Sequence, residues 1–340
     1  MPHLSSLPDT TPFRAPPTFM GVPFTRDLSQ SRAAILGAPF DCGTHPVRVG
    51  SRLGPAAIRE QSALVRPYEP PFFDFNPLTA LGLVDCGDAA VVSGSVLESH
   101  AAIEAAAATI LSQGAIPIVL GGDGAISLPH MRALHARHPG LVVLHVDAHT
   151  DTYPSYGDSE RDLYNVATTF TRAAEEGLID LSHSFHVGAR GPVYMDGVFE
   201  YTRQKGYGLI PGTDLLERGI QAVVAEVKER LQGKPVYLCF DMDVFDPSCA
   251  PGVCTPTWGG LTAREGLGLL ESLAGLNFVG FEVNTVSPPH DTAGMTAYLA
   301  GTCVLKMLVL ACYSPDVRAS KSLPALPPLP AIPPQNRSRS

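Results

Sequence analysis

What most restricts this chain is a repeated alternation of short, almost uninterrupted apolar runs with longer helix-forming segments. The runs are AAILGAPF (33–40), IPIVLGGD (116–123), LVVLHVDAH (141–149), FHVGAR (185–190), PVYLCFDMDV (235–244) and FVGFEVNTV (278–286). A strand with one wet face alternates apolar and polar residues, whereas strands apolar throughout are covered on both faces. Helices are predicted at 97–113, 127–137, 214–232, 262–274 and 293–312; the first stops at Gly114, a residue suited to ending a helix. Strands alternating with helices build a parallel sheet. The predicted fold is therefore α/β, a three-layer α/β/α sandwich with a doubly wound parallel sheet.

Nothing between residues 18 and 320 reads as a linker, so this stretch is expected to form one domain. Residues 1–17 are rich in Pro, Ser and Thr and are expected to form an extended arm. The last twenty, KSLPALPPLPAIPPQNRSRS (321–340), have the composition of a disordered, proline-rich tail. A net charge of −9 argues against nucleic acid or an acidic membrane as a partner. Seven scattered cysteines without a C-x-x-C pair suit reduced thiols in a cytoplasm. The N-terminus has no apolar core of a secretory signal. The apolar run near 304–312 carries Lys306 and falls short of the roughly 20 residues that span a bilayer. A soluble, cytoplasmic protein is expected.

Ligands of doubly wound sheets gather beyond the carboxyl ends of the strands, and the acidic motifs fall there. VDAHTD follows the strand at 141–146 and places Asp147, His149 and Asp151 at alternate positions. FDMDVFDP ends the strand at 235–240 with Asp241 and Asp243, and Asp246-Pro247 closes the turn. Side chains two apart on a strand share a side. Four carboxylates at one sheet edge repel one another unless cations neutralise them. Oxygen ligands with an imidazole suit a divalent ion such as Mn²⁺, with Ni²⁺, Fe²⁺ or Zn²⁺ as alternatives. One D-x-D is more often a cap or turn; D-x-H-x-D followed by D-x-D-x-x-D-P is much more specific.

Other motifs read more plainly. GGDGAIS (121–127) lacks the Lys-Ser/Thr of a P-loop and is read as a tight turn. His130, His135 and His138 are read as surface histidines on a solvated helix. Cys254 has no histidine placed in sequence to activate it and is read as a small loop residue.

Several ordered segments resemble the ureohydrolase family of arginases, agmatinases and guanidinobutyrases, with an agmatinase-like accent. They are TFMGVPF (18–24), LGAPFDCGT (36–44), RVGSRLGPAAIRE (48–60), VDCGD (84–88), VDAHTD, FDMDVFDPSCAPGVCTP (240–256) and VSPPHDTAGMTAYLAG (286–301). The resemblance implies hydrolysis of a guanidino compound by a hydroxide held between two Mn²⁺, sometimes Ni²⁺, ions. It further implies that Asp147 and Asp241 bridge the ions, that His149 and Asp243 complete one site, and that Asp151 serves the other.

Three positions depart from the family pattern. Gly124 stands where G-G-D-H-S has a metal-binding histidine. Val166, in VATTF, replaces the proton-shuttling histidine of H-G-T-x-F, and losing a general acid or base typically costs roughly 10²–10⁴ in rate. Thr285 replaces the glutamate that grips the guanidinium. One such change would suit altered specificity; three touch the metal, the proton and the substrate together. The expectation is a degenerate ureohydrolase holding at most one divalent ion (Mn or Ni), poorly soluble or inactive alone. It would serve as non-catalytic partner of an active paralogue in a trimer-based hetero-oligomer, a trimer or hexamer, as in heteromeric metformin hydrolases. The alternatives are an active single-metal hydrolase of an unusual amidine or guanidine, and a guanidino-binding protein without turnover.

Overall fold

The computed structural model describes residues 16–42, 45, 47–70 and 72–319. The expected tail at 321–340 and most of the arm at 1–17 lie outside the described residues. Eight strands form one sheet: β1 (Ala33–Ala38), β2 (Val84–Asp88), β3 (Ile116–Gly121), β4 (Val142–Val146), β5 (Phe185–Val187), β6 (Gly208–Ile210), β7 (Pro235–Asp241) and β8 (Asn277–Asn284). Their order is β2-β1-β3-β8-β7-β4-β5-β6, every pairing parallel.

Both faces are covered, as the apolar runs require. Ile35, Ile118, Leu144, Leu238 and Phe240 pack with Ile58, Val223, Leu269 and Val304, from helices Gly54–Gln61, Ile220–Leu231, Ala263–Ser272 and Met295–Tyr313. The alternate residues Ala34, Leu36, Val119, Val143 and Tyr237 pack with Ile103, Leu134 and Phe170 of helices Val96–Ser112, Ser127–Arg137 and Thr169–Glu175. The central strands β3, β8, β7 and β4 are thereby held side by side, and their carboxyl ends open on one edge.

Several expectations need correction. β2 and β6 escaped the reading because β6 is three residues long and β2 (VDCGD) carries two aspartates. Asp85 is nonetheless fully buried, its oxygens taken by Arg59 at 2.8 and 3.0 Å and by the Phe19 and Gly87 amides. The helix expected at 214–232 is two, Gly212–Arg218 and Ile220–Leu231, because Gly219 adopts φ 77°, ψ 150° between them. His130 is not at the surface. It is fully buried, with Nδ1 3.1 Å from a Glu282 oxygen that also accepts from Tyr237 at 2.7 Å. His135 Nδ1 meets the Leu178 carbonyl at 2.7 Å, and His138 is partly buried.

The length argument against a membrane span also fails as stated. The run around Lys306 belongs to a 19-residue helix, Met295–Tyr313, which is long and apolar enough to cross a bilayer. Packing decides the matter: 78% of its apolar window is buried inside the protein, against β8 and the helices around it. Lys306, 1% exposed, extends to Glu69 at 2.6 Å and Glu271 at 2.5 Å beneath the Phe72 and Phe73 rings. Removing a buried cation leaves its partners unmatched; since both glutamates are partly exposed, Lys306→Ala should cost about 2–4 kcal/mol. Lys306→Met, which keeps the apolar stem, should lose less. Equilibrium urea unfolding of both variants measures the difference.

Candidate metal centre

The acidic motifs converge where β4 and β7 end. Asp147 leaves β4 immediately, its amide bonded to the Val187 carbonyl of β5 at 3.0 Å. Asp241 is the last residue of β7 and caps the short 3-10 turn Met242–Val244, accepting from the Asp243 amide at 2.7 Å. Asp243 is thus delivered by a turn rather than by continued strand. The strand expected to reach 149 likewise ends at Val146, and Asp151 takes a left-handed backbone (φ 46°) that folds it back toward Asp147.

Two triads bring ligand atoms within 4.8 Å of one another: Asp147, His149 and Asp243, and His145, Asp147 and Asp151. In the first, His149 Nδ1 lies 3.0 Å from Asp243 Oδ2 and 3.3 Å from Asp147 Oδ1. Its other nitrogen meets the Thr257 hydroxyl at 3.3 Å, and Thr255 donates to Asp243 Oδ2 at 3.2 Å. These contacts fix the imidazole with Nδ1 toward the carboxylates, as metal-binding histidines are commonly oriented.

His145 was not singled out from sequence, although it lies on β4 two residues before Asp147, the spacing that puts side chains on one side. Its Nε2 is 2.8 Å from Asp147 Oδ2, and its Nδ1 is 2.8 Å from His186 Nδ1. His186 reaches the Thr152 hydroxyl at 3.3 Å. Asp241 joins neither triad: its Oδ1 accepts from the Asp243 amide and the Thr285 hydroxyl.

Burial and mutual repulsion set the electrostatics. Burial raises the pKa of Asp151, Asp241 and Asp243, and the negative charges of Asp147 and Asp243 push further; Asp151 and Asp241 end well above the ordinary carboxylate value. Burial acts the same way on Asp147, but the adjoining His145 and His149 outweigh it and hold it well below. Desolvation disfavours charge on His149, yet Asp243 and Asp147 overcome it and raise its pKa well above 6.5. Asp123 of the GGDGA turn is buried and pushed up to about 6, opposed by the Cys42 thiol and amide at 2.9 and 2.7 Å. The donor set, with hard oxygens and one oriented imidazole, fits a divalent ion at Asp147, His149 and Asp243.

The three departing positions also meet here. A β-carbon added at Gly124 would lie 2.9 Å from Val166 Cγ2 and 3.0 Å from Asp151 Oδ2, so the valine closes the space beside the glycine. Val166 and Thr285 line one cleft with Asp123, Asp41, Cys254 and Thr255. Cys254 pairs with Ser51 at 2.7 Å, and burial pushes its thiol up to about 12, which suits no nucleophile.

The Arginase family profile matches residues 31–309. The chain belongs to the arginase family. It is 36% identical over 304 residues to the guanidinobutyrase of Pseudomonas aeruginosa, covering 88% of this chain and 92% of that protein. With the agmatinase of Escherichia coli it shares 37% over 278 residues, 81% of this chain and 86% of the relative. The crystal structure of proclavaminate amidino hydrolase from Streptomyces clavuligerus superimposes with a TM-score of 0.81 at 31% identity, covering 88% of this chain and 97% of that one. The arginase family depends on divalent metal, and this member retains candidate ligand groups for it.

Two outcomes follow from this geometry. Gly124→Ala should destabilise by about 1–3 kcal/mol through overpacking, and adding Val166→Ala should return much of that loss. A double-mutant cycle in urea reads the coupling. Metal affinity should fall on acidification at a pH above the ordinary carboxylate range, because protons compete at the raised Asp151, Asp241 and Asp243. Without metal the sign reverses. Groups whose folded pKa is raised hold more protons folded than unfolded, so they lower stability as pH rises from the ordinary aspartate value of 3.8 through their folded values. Asp147 acts oppositely, but only below 3.8. Mn²⁺ titration calorimetry and metal-free thermal melts, each from pH 5 to 8, test the two signs.

Proposed function

We propose that this arginase-family chain is a degenerate ureohydrolase, the non-catalytic subunit of a hetero-oligomer whose turnover belongs to an intact paralogue. The observation that supports this reading is the coupled loss at one cleft. Gly124 offers no ligand, Val166 fills the space beside it, and the Thr285 hydroxyl binds a carboxylate oxygen of Asp241 instead of presenting an acid to a guanidinium. A chain retuned for a new substrate needs its proton shuttle; an assembly subunit does not. The substrate class of the complex is a guanidino compound of the agmatine, guanidine or metformin type, in keeping with the guanidinobutyrase and agmatinase relatives. The partner is an active arginase-fold chain in a trimer or hexamer. The setting is cytoplasmic, in keeping with seven cysteines free of disulfides.

At most one divalent ion, Mn²⁺ or Ni²⁺, would be held per chain, by Asp147, His149 and Asp243. An ion there supplies an acidified water or a polarised ligand oxygen. The protein's own groups hold the imidazole in line and keep the carboxylates out of bulk water. Asp151 keeps no imidazole partner at position 124 for a second ion.

The runner-up is a single-metal hydrolase of an unusual amidine, favoured by the intact Asp147–His149–Asp243 triad. One set of measurements separates the two. The purified homomer should carry no more than one ion by elemental analysis and should not hydrolyse guanidino compounds. Gly124→His, Val166→His and Thr285→Glu together should restore some turnover where each alone does not, since residues acting as a unit are non-additive. In a complex assembled with the paralogue, Asp147→Asn should spare activity. Turnover by the unmodified homomer, or its loss in an assembled Asp147→Asn complex, would overturn the proposal.

A further inference from the structure

The edge of the sheet opposite the metal centre, where the strands begin, holds a cavity of about 190 Å³. Arg32 immediately precedes β1, Ile116 opens β3, and Phe278 is the second residue of β8. The ends of helices Val96–Ser112 and Ser127–Arg137 and the short helix Pro315–Ala319 close the sides. The floor is apolar, built from Leu111, Phe278, Val279 and Val317, none more than 7% exposed. An apolar cavity of about 150 Å³ accommodates benzene, so this space suits a molecule of roughly six to ten non-hydrogen atoms.

Charge defines the other half of the ligand. The chain carries −9 overall, yet the rim of this cavity is cationic. Arg32 is anchored there by its backbone, its amide bonding the Leu81 carbonyl at 2.7 Å and its carbonyl accepting from Ile116 at 2.8 Å. Arg137 ends its helix, exposed and with no ion pair to a described residue. Asp316 is the one carboxylate on the wall, and its Oδ2 already accepts from Asn277 Nδ2 at 2.9 Å. His138 registers the local field: burial lowers its pKa, Arg137 lowers it further, and Asp316 opposes them.

A carboxylate on a small apolar body meets both halves, with charge-assisted donors at one end and a dry floor at the other. A cation would face two guanidinium groups, a neutral hydrocarbon would desolvate them without return, and an inorganic oxyanion would leave the floor uncovered. We infer that this cavity binds a small monocarboxylic acid, its carboxylate shared by Arg32 and Arg137 and its hydrocarbon laid on Leu111, Phe278, Val279 and Val317. Such an acid ties the starts of β1, β3 and β8 together and stabilises the folded chain, as any ligand selective for that state does. The inference does not rest on the reading of the metal centre, which lies at the other edge of the same sheet.

Calorimetric titration of the full chain with benzoate tests it. Benzoate should bind at one site per chain, equally with and without Mn²⁺, and should raise the thermal midpoint. Benzamide keeps the shape without the charge, and inorganic phosphate keeps charge without the ring; each should bind about tenfold more weakly or worse. Arg137→Gln and Arg32→Gln should each weaken benzoate about tenfold, the size of one lost charge-assisted contact, with native circular dichroism. Because Arg137 is exposed, its variant decides the matter even where Arg32→Gln fails to fold. No binding of benzoate, benzamide or phosphate binding as tightly, an affinity unchanged in Arg137→Gln, or binding that requires Mn²⁺ would each overturn the inference.

Discussion

Asp147, Asp151, Asp241 and Asp243 are each at most 6% exposed, and all lie where two neighbouring strands end. Ionised together in a dry site, they would repel one another by more than most single interactions in a protein can offset. The surrounding chain is arranged to contain that repulsion. His145 and His149 stand against Asp147, the Thr285 and Thr255 hydroxyls donate to Asp241 and Asp243, and backbone amides of residues 148, 149 and 243 point inward. A divalent cation is the remaining element that would let all four ionise at once. The sheet supplies the frame, since β3, β8, β7 and β4 are adjacent and end on the same edge.

That frame was legible because uninterrupted apolar strands have few alternatives to burial on both faces. The boundaries were less so. Period-two reasoning carried the strands through 149 and 244, but both segments leave extended geometry once a carboxylate begins to cap the amide two residues on, Asp147 to His149 and Asp241 to Asp243. Capping is a local hydrogen-bond choice that hydrophobic pattern does not encode. His130 shows the same blindness from another side. On sequence it looked solvated; its partner Glu282 is 152 residues away on β8, and only the fold brings them together. His145 was within reach of the sequence, because its separation of two from Asp147 is itself the signal.

The departures from the family pattern are not independent in space. Gly124 and Val166 are a packed pair, so each constrains what the other can become. A histidine at 124 would collide with the valine and crowd Asp151. A side chain restored at 124 alone therefore meets the valine, so changing that position without Val166 is not a fair trial of the site.

Thr285 carries the argument one step further. It holds φ at 65°, a conformation that β-branched residues adopt at a cost of order 1–2 kcal/mol. Its amide bonds the Gly122 carbonyl at 2.7 Å, and its carbonyl accepts from Ser51 at 3.3 Å. The backbone at this point is thus fixed by the turn that follows β3 and by Ser51 rather than by the side chain it bears. A threonine strained into that geometry points its hydroxyl at Asp241 and adds a donor where the carboxylates need one. The backbone here is held independently of the side chain it bears, and the threonine's hydroxyl serves the charge balance of the site.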